Sequence, residues 1–153
     1  MMLELHNVSI GQLISSLSLT VADGQLVCLT GAEGTGKTTL LRAIMGFLPI
    51  DGGHISIDGE LLTPKSAPYF RRQMAYVPQR LTVPDDYLLD TRYVSLLTKA
   101  IEARKQLLIV DEPSQLLSDE DARQVDNLLS EASQQGMTIL AVNGRMNQNM
   151  VKL

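Results

Sequence analysis

The chain has 153 residues, 44% of them hydrophobic and 20% charged, with 13 basic against 17 acidic side chains for a formal charge of −4. That length suits one domain with a sizeable core, and the mildly acidic balance removes any global electrostatic reason to expect nucleic acid or anionic lipid as a partner. The lone cysteine, Cys28, excludes an internal disulfide or a cysteine metal cluster and points to a reducing, intracellular setting.

Residues 3–8 and 14–21 alternate apolar with polar side chains, as half-buried strands do. The turn signal Ala22-Asp23-Gly24 then leads into an apolar run at 25–30, a third strand. Residues 37–45 carry Leu40, Leu41, Ile44 and Met45 at helical spacing, and Gly46 with Pro49 ends that helix. A strand is expected at 53–57, turning at Asp58-Gly59. Pro64, Pro68 and Pro78 punctuate a loop-rich middle that holds one short strand at 73–77. Between residues 90 and 103, Tyr93, Val94, Leu96, Leu97 and Ile101 fit one helical face, and a buried strand follows at 107–110. Ser118, with Asp121 three residues on, reads as the N-cap of an amphipathic helix through Val125, Leu128 and Leu129 that Gly136 terminates. A last apolar strand is expected at 137–142, and the tail 143–153 is polar without a clear period. Strands alternating with helices predict an α/β fold around a mostly parallel sheet, as a single domain over 1–153. There is no basic segment followed by a long apolar stretch, and the run at 40–50 is broken by Arg42 and Pro49, so neither a signal peptide nor a membrane-spanning segment is expected.

The segment Gly31, Ala32, Glu33, Gly34, Thr35, Gly36, Lys37, Thr38 matches G-x-x-x-x-G-K-[ST], and it lies between an expected strand and an expected helix. The glycines let successive backbone N–H groups turn toward phosphate oxygens, while the helix start aims its positive dipole end at the same anion. Lys37 would reach the β and γ phosphates of ATP, the Thr38 hydroxyl would coordinate Mg2+, and Thr39 can donate one more hydrogen bond. Leu107-Leu108-Ile109-Val110-Asp111-Glu112 is an apolar strand ending in two acids, at the carboxyl edge where ligands bind in such sheets. Asp111 would hold Mg2+ through its water shell, and Glu112 would polarise water as a general base.

Taken together, GAEGTGKT, Val77-Pro78-Gln79 and LLIVDEP resemble the ATP-binding subunits of ABC transporters, P-loop NTPases whose Walker A and Walker B segments these would be. The likeness extends to Leu5-His6-Asn7-Val8-Ser9, LLRAIMGFLPIDGGHISIDG and RRQMAYVPQ. It implies a P-loop core with a small N-terminal antiparallel portion, and Gln79 as a Mg2+ or water contact. By the same resemblance SQLLSD, at 114–119, corresponds to a D-loop facing a second subunit. The departures are as specific. The LSGGQ signature is absent, its place near residues 87–91 reading YLLDT, and the interval from Gln79 to Asp111 is too short for the helical subdomain that docks on the transporter. Asn143 and Gly144 stand where the family has a histidine on the γ-phosphate, and Ile10, Gly11 and Gln12 stand where it has an aromatic on adenine. His6 reads as an ordinary strand residue and His54 as a strand-edge one. The chain stops where the family adds further elements, leaving an expected open sheet edge that a partner could close.

The resemblance therefore implies a shortened ATP-binding subunit of a transport system, cytoplasmic or peripheral to the inner face of the membrane. It would bind Mg-ATP and hydrolyse it slowly or only with a partner subunit, the partners implied being a second copy, a second ATP-binding subunit and a membrane permease. The alternative is a non-hydrolysing nucleotide-binding regulatory or adaptor module derived from such an ATPase. No guanine-reading N-K-x-D accompanies the loop, which sets the chain apart from GTPases.

Overall fold

The computed structural model describes residues 1–31, 34–78, 93–111, 117–143 and 150–152. Two sheets organise them. An antiparallel sheet is built from β1 (Leu3–Ile10), β2 (Ile14–Val21), β4 (Gly52–Ile57) and β5 (Glu60–Leu61), in the order β2-β1-β4-β5. A second sheet contains β3 (Leu26–Thr30), β6 (Met74–Val77), β7 (Leu107–Asp111), β8 (Thr138–Asn143) and β9 (Met150–Lys152), in the order β6-β7-β8-β3-β9. Every pairing in the second sheet is parallel. Four helices complete the described elements: α1 (Lys37–Ile44), α2 (Ala67–Arg71), α3 (Tyr93–Glu102) and α4 (Asp119–Gln134).

Strand β7 is buried along its whole length on both faces, which is why it reads as an unbroken apolar run rather than an alternation. Its side chains divide by the period of two: Leu107 and Ile109 join one core with α1 and the antiparallel sheet, while Leu108 and Val110 join another with α3 and α4. The fold is thus layered, with β7, β8 and β3 held between the two cores.

Helix ends follow the local signals. Ser118 Oγ accepts from the Asp121 N–H at 3.1 Å, as its N-cap position requires, and Asp119, Glu120 and Asp121 place negative charge on the first turn of α4. At the other end the Gly136 N–H reaches the Ser133 carbonyl and the Met137 N–H the Ala132 carbonyl, a Schellman closure. The same pair of bonds closes α1, from Gly46 to Ala43 and from Phe47 to Arg42.

Three segments differ from the sequence expectation. The proline-punctuated middle contains α2, whose Pro68 sits in the first turn, where a missing N–H costs nothing. A two-residue strand, β5, follows the Asp58-Gly59 turn. The polar tail contains β9, which pairs with β3 through Cys28, Leu29 and Thr30. Beta-9 therefore lies along what would otherwise be the outer edge of β3, and β6 and β9 are the terminal strands among the described residues.

Candidate functional site

The carboxyl ends of the parallel strands share one edge: Thr30 pairs with Asn143, and Asp111 with Val142. One strand, β8, separates the loop that leaves β3 from the carboxylate that ends β7. The chain turns from Thr30 into the loop and enters α1 at Gly36, whose φ of 92° and ψ of 16° are left-handed. A side chain there would be strained by the backbone and crowded as well, since a Cβ would lie 3.0 Å from Leu13 Cβ and 3.2 Å from Ile14 Cδ1. No side chain caps α1 and no acid occupies its first turn, so the positive end of its dipole is not neutralised from within that turn.

Two polar contacts tie the predicted residues together. The Lys37 ammonium donates to the Gly31 carbonyl, spanning the loop from its last residues back to its first. The Thr38 hydroxyl donates to Asp111 Oδ2 at 2.8 Å, which joins α1 to the end of β7. Neighbouring ligand oxygens in an octahedral Mg2+ shell with Mg–O of about 2.0–2.1 Å are separated by about 2.9 Å, so this pair has the spacing of such a shell. Asp111 is 1% exposed. Burial raises its carboxyl pKa above the ordinary carboxylate value, opposed by the Thr38 hydrogen bond and then by the charges of Lys37 and Arg42. A divalent cation would act in the same direction as those opposing charges. Among the described residues no group of three or more His, Cys, Asp or Glu could hold a metal by itself. Mg2+ would therefore depend on Thr38, Asp111, water and the phosphates of a nucleotide, which is its usual mode.

Of the residues singled out by sequence, Gly31, Gly34, Thr35, Gly36, Lys37, Thr38, Thr39 and Asp111 lie at this edge, and the contacts above unite Gly31, Lys37, Thr38 and Asp111. Thr39 is half-buried in the first turn of α1. Ala32, Glu33, Gln79 and Glu112 lie outside the described residues, as do residues 87–91, Gly144 and the first half, 114–116, of the SQLLSD segment. Ile10, the apolar residue at the expected adenine position, is 6% exposed and belongs to the core.

Sequence reasoning missed four neighbours of the site. Leu13 is 54% exposed beside Gly36. The Tyr93 hydroxyl donates to the Asp111 carbonyl at 2.8 Å, so α3 anchors the end of β7. Arg42 contributes positive charge to Asp111. Tyr76 has its hydroxyl pKa raised by burial and then by the Asp111 charge, with Arg42 opposing. Only Leu13 carried a signal, an apolar residue within a turn; the others are contacts across elements. A cavity of about 720 Å3 is lined by Asp23, Gly24, Lys105, Gln106, Gly136 and Met137 at the amino ends of the strands. It lies away from the loop, at the edge opposite to the one where such sheets bind ligands.

Residues 14–148 match the family model for the ABC transporter. The chain belongs to the ABC transporter family. Among relatives of this ABC chain, the manganese transport system ATP-binding protein MntB of Listeria innocua is 38% identical over 86 residues, covering 51% of this chain and 34% of that protein. The vitamin B12 import ATP-binding protein BtuD of Yersinia enterocolitica is 41% identical over 80 residues, covering 52% of this chain and 31% of that protein. The matches thus span about a third of the length of these curated relatives. The structure of an ATP binding subunit of an ABC transporter superposes with a TM-score of 0.79 at 20% identity, over 100% of this chain and 86% of the other. An ABC transporter ATP-binding protein from Pyrococcus furiosus, described by its solvers as provisional, gives 0.79 at 16% identity over 100% and 98%. The ABC fold, a parallel α/β core with an antiparallel β portion, is thereby shown. No helix among the described residues is long and apolar enough to cross a membrane, a statement that does not bear on β-barrels.

Proposed function

We propose that the chain is an ATP-binding component of a transport system, with the loop from Gly31 to Thr38 holding the phosphates of Mg-ATP. The supporting observation is the junction of α1 with β7. An uncapped helix start, the Lys37 ammonium and the buried Asp111 carboxylate, linked through Thr38, are gathered at the carboxyl edge of a parallel sheet. In this reading the amides at the start of α1, with Thr39 contributing, hold the β and γ phosphates. Lys37 exchanges its bond to the Gly31 carbonyl for phosphate oxygens, where a charge-assisted bond is stronger than one to a neutral carbonyl. Thr38 and Asp111 would take Mg2+, which supplies charge neutralisation at the γ-phosphate. Glu112 is proposed as the general base and Gln79 as a contact to Mg2+ or water.

The relatives' printed names, ATP-binding proteins of transport and import systems, support a transport role; a cytoplasmic setting beside a membrane permease is part of the same proposal, and a second ATP-binding subunit would supply the signature that this sequence lacks. Losing one positioned donor to a transition state costs about a hundredfold or more in rate, so turnover by the chain alone should be slow. The short span between β6 and β7, in which α3 is the one helix among the described residues, favours one second reading, a nucleotide-binding module that does not hydrolyse. Steady-state ATPase measurements on the purified protein, alone and with an intact ABC ATP-binding subunit, separate the two. Turnover that appears with the partner and disappears in Glu112→Gln supports the subunit. Bound Mg-ATP that is never turned over supports the module, and absence of nucleotide binding refutes both.

A further inference from the structure

We propose that His6 and His54 form a surface site for a borderline transition-metal dication such as Cu2+, Ni2+ or Zn2+, separate from the phosphate loop. The alternation of β1 sends Leu3, Leu5 and Val8 into the core and leaves Glu4 and His6 on the outer face. In β4, Ile55 and Ile57 are buried while His54 and Ser56 lie outward. Register then places His6 directly opposite His54, with ring centroids 4.6 Å apart and planes at 27°. Two imidazoles on facing positions of neighbouring strands can supply two nitrogens to one ion, which suits borderline cations and not Mg2+.

The surroundings favour such a role. Glu4 Oε2 lies 3.2 Å from His6 Nε2, and a carboxylate on one ring nitrogen orients the imidazole and leaves the other nitrogen for a metal. The spacing between the strands is set by main chain. A Cβ at Gly53, whose φ is 74°, would come within 2.2 Å of the Asn7 carbonyl oxygen and 2.3 Å of that of His6, so β4 lies closely against β1 beside the pair. Asn7 itself has a φ of 50°, and the register shifts just after His6. The paired backbone therefore holds the two histidines together, and a turn about χ2 would take their rings from stacking toward chelation. Across β1, the residue opposite Glu4 on β2 is Thr20, and the one on β4 is Ser56, so no cation from these strands faces the pair. Since no cluster of three or more His, Cys, Asp or Glu among the described residues could hold a metal, water completes the coordination.

Calorimetric titration of the whole chain with CuCl2, NiCl2 and ZnCl2 at pH 7.5, in a non-chelating buffer and without nucleotide, tests the site. Wild type should take up one ion with Cu2+ bound most tightly. His6→Ala and His54→Ala should each weaken binding by at least about tenfold, with Glu4→Gln nearer the lower end of the ~10–100-fold range for orienting partners. Circular dichroism checks that these substitutions leave the fold intact. Wild-type affinity in both histidine variants, or loss of binding in Asp111→Asn with the histidines present, would overturn the assignment.

Discussion

Replacing Gly36 with alanine loads the junction of α1 with the loop proposed to hold phosphate, in two ways that can be sized separately. The left-handed backbone, with φ at 92°, costs an L-residue about 1–2 kcal/mol. The added Cβ would also meet Leu13 Cβ at 3.0 Å and Ile14 Cδ1 at 3.2 Å. Leu13 is exposed and can yield, but Ile14 is 3% exposed and packed in the core, so crowding adds about 1–3 kcal/mol. The sum of about 2–5 kcal/mol corresponds to a fall in Tm of about 4–20 °C at about 2–4 °C per kcal/mol for a domain of this size. Gly34 is the internal control. Its φ is 84°, yet nothing among the described residues lies within 4 Å of its Cβ position, so Gly34→Ala should cost only the backbone share, about 2–8 °C. Thermal and urea denaturation followed by circular dichroism measure both variants without nucleotide. Equal destabilisation, or a larger loss in Gly34→Ala, would refute the claim that Gly36 is fixed by packing against β2 as well as by its backbone.

Three further outcomes follow from the site. Burial raises the Asp111 pKa, so the native state binds more protons than the unfolded chain, and this carboxyl's contribution to stability declines as pH rises from the ordinary carboxylate value through the raised one. Asp111→Asn should accordingly melt no lower than wild type at pH 7 without metal, while Mg2+-dependent nucleotide binding is lost; urea melts from pH 3.5 to 8 in which wild type gains on the variant with rising pH would contradict it. Leu13→Trp offers a base a stacking surface beside the loop, worth about 1–3 kcal/mol, so ATP affinity by calorimetry should rise on the order of tenfold, and unchanged affinity would show that a base bound there does not reach position 13. Tyr93→Phe deletes the bond to the Asp111 carbonyl and should lower stability by about 1–3 kcal/mol in urea denaturation, whereas a neutral change would show that α3 does not hold the end of β7.

Much of this architecture is written locally. The loop needs small residues and a lysine at fixed spacing, β7 needs apolar residues on both faces, and Ser118 with Gly136 marks the limits of α4. Such features depend on the residue itself and its near neighbours, so a single sequence displays them. What escaped depends on pairing. Beta-9 has three residues and exists through its bonds to β3, and α2 was masked by Pro68, which is compatible with a first turn. Tyr93 finds Asp111 only after α3 packs against β7, and His6 meets His54 only once β1 and β4 are in register. Ile10 illustrates the converse: its position fitted a base contact, and the alternation of β1 turned it inward.

Titration of ATP into wild type, Lys37→Ala and Thr38→Ala, each with and without Mg2+, addresses the phosphate loop most directly. Wild type should bind with Mg2+ present, Lys37→Ala should lose affinity under both conditions, and Thr38→Ala should lose mainly the enhancement by Mg2+. Affinity in Lys37→Ala equal to wild type would mean that the ammonium now bonded to the Gly31 carbonyl never serves a phosphate, and the proposed site would fall with it.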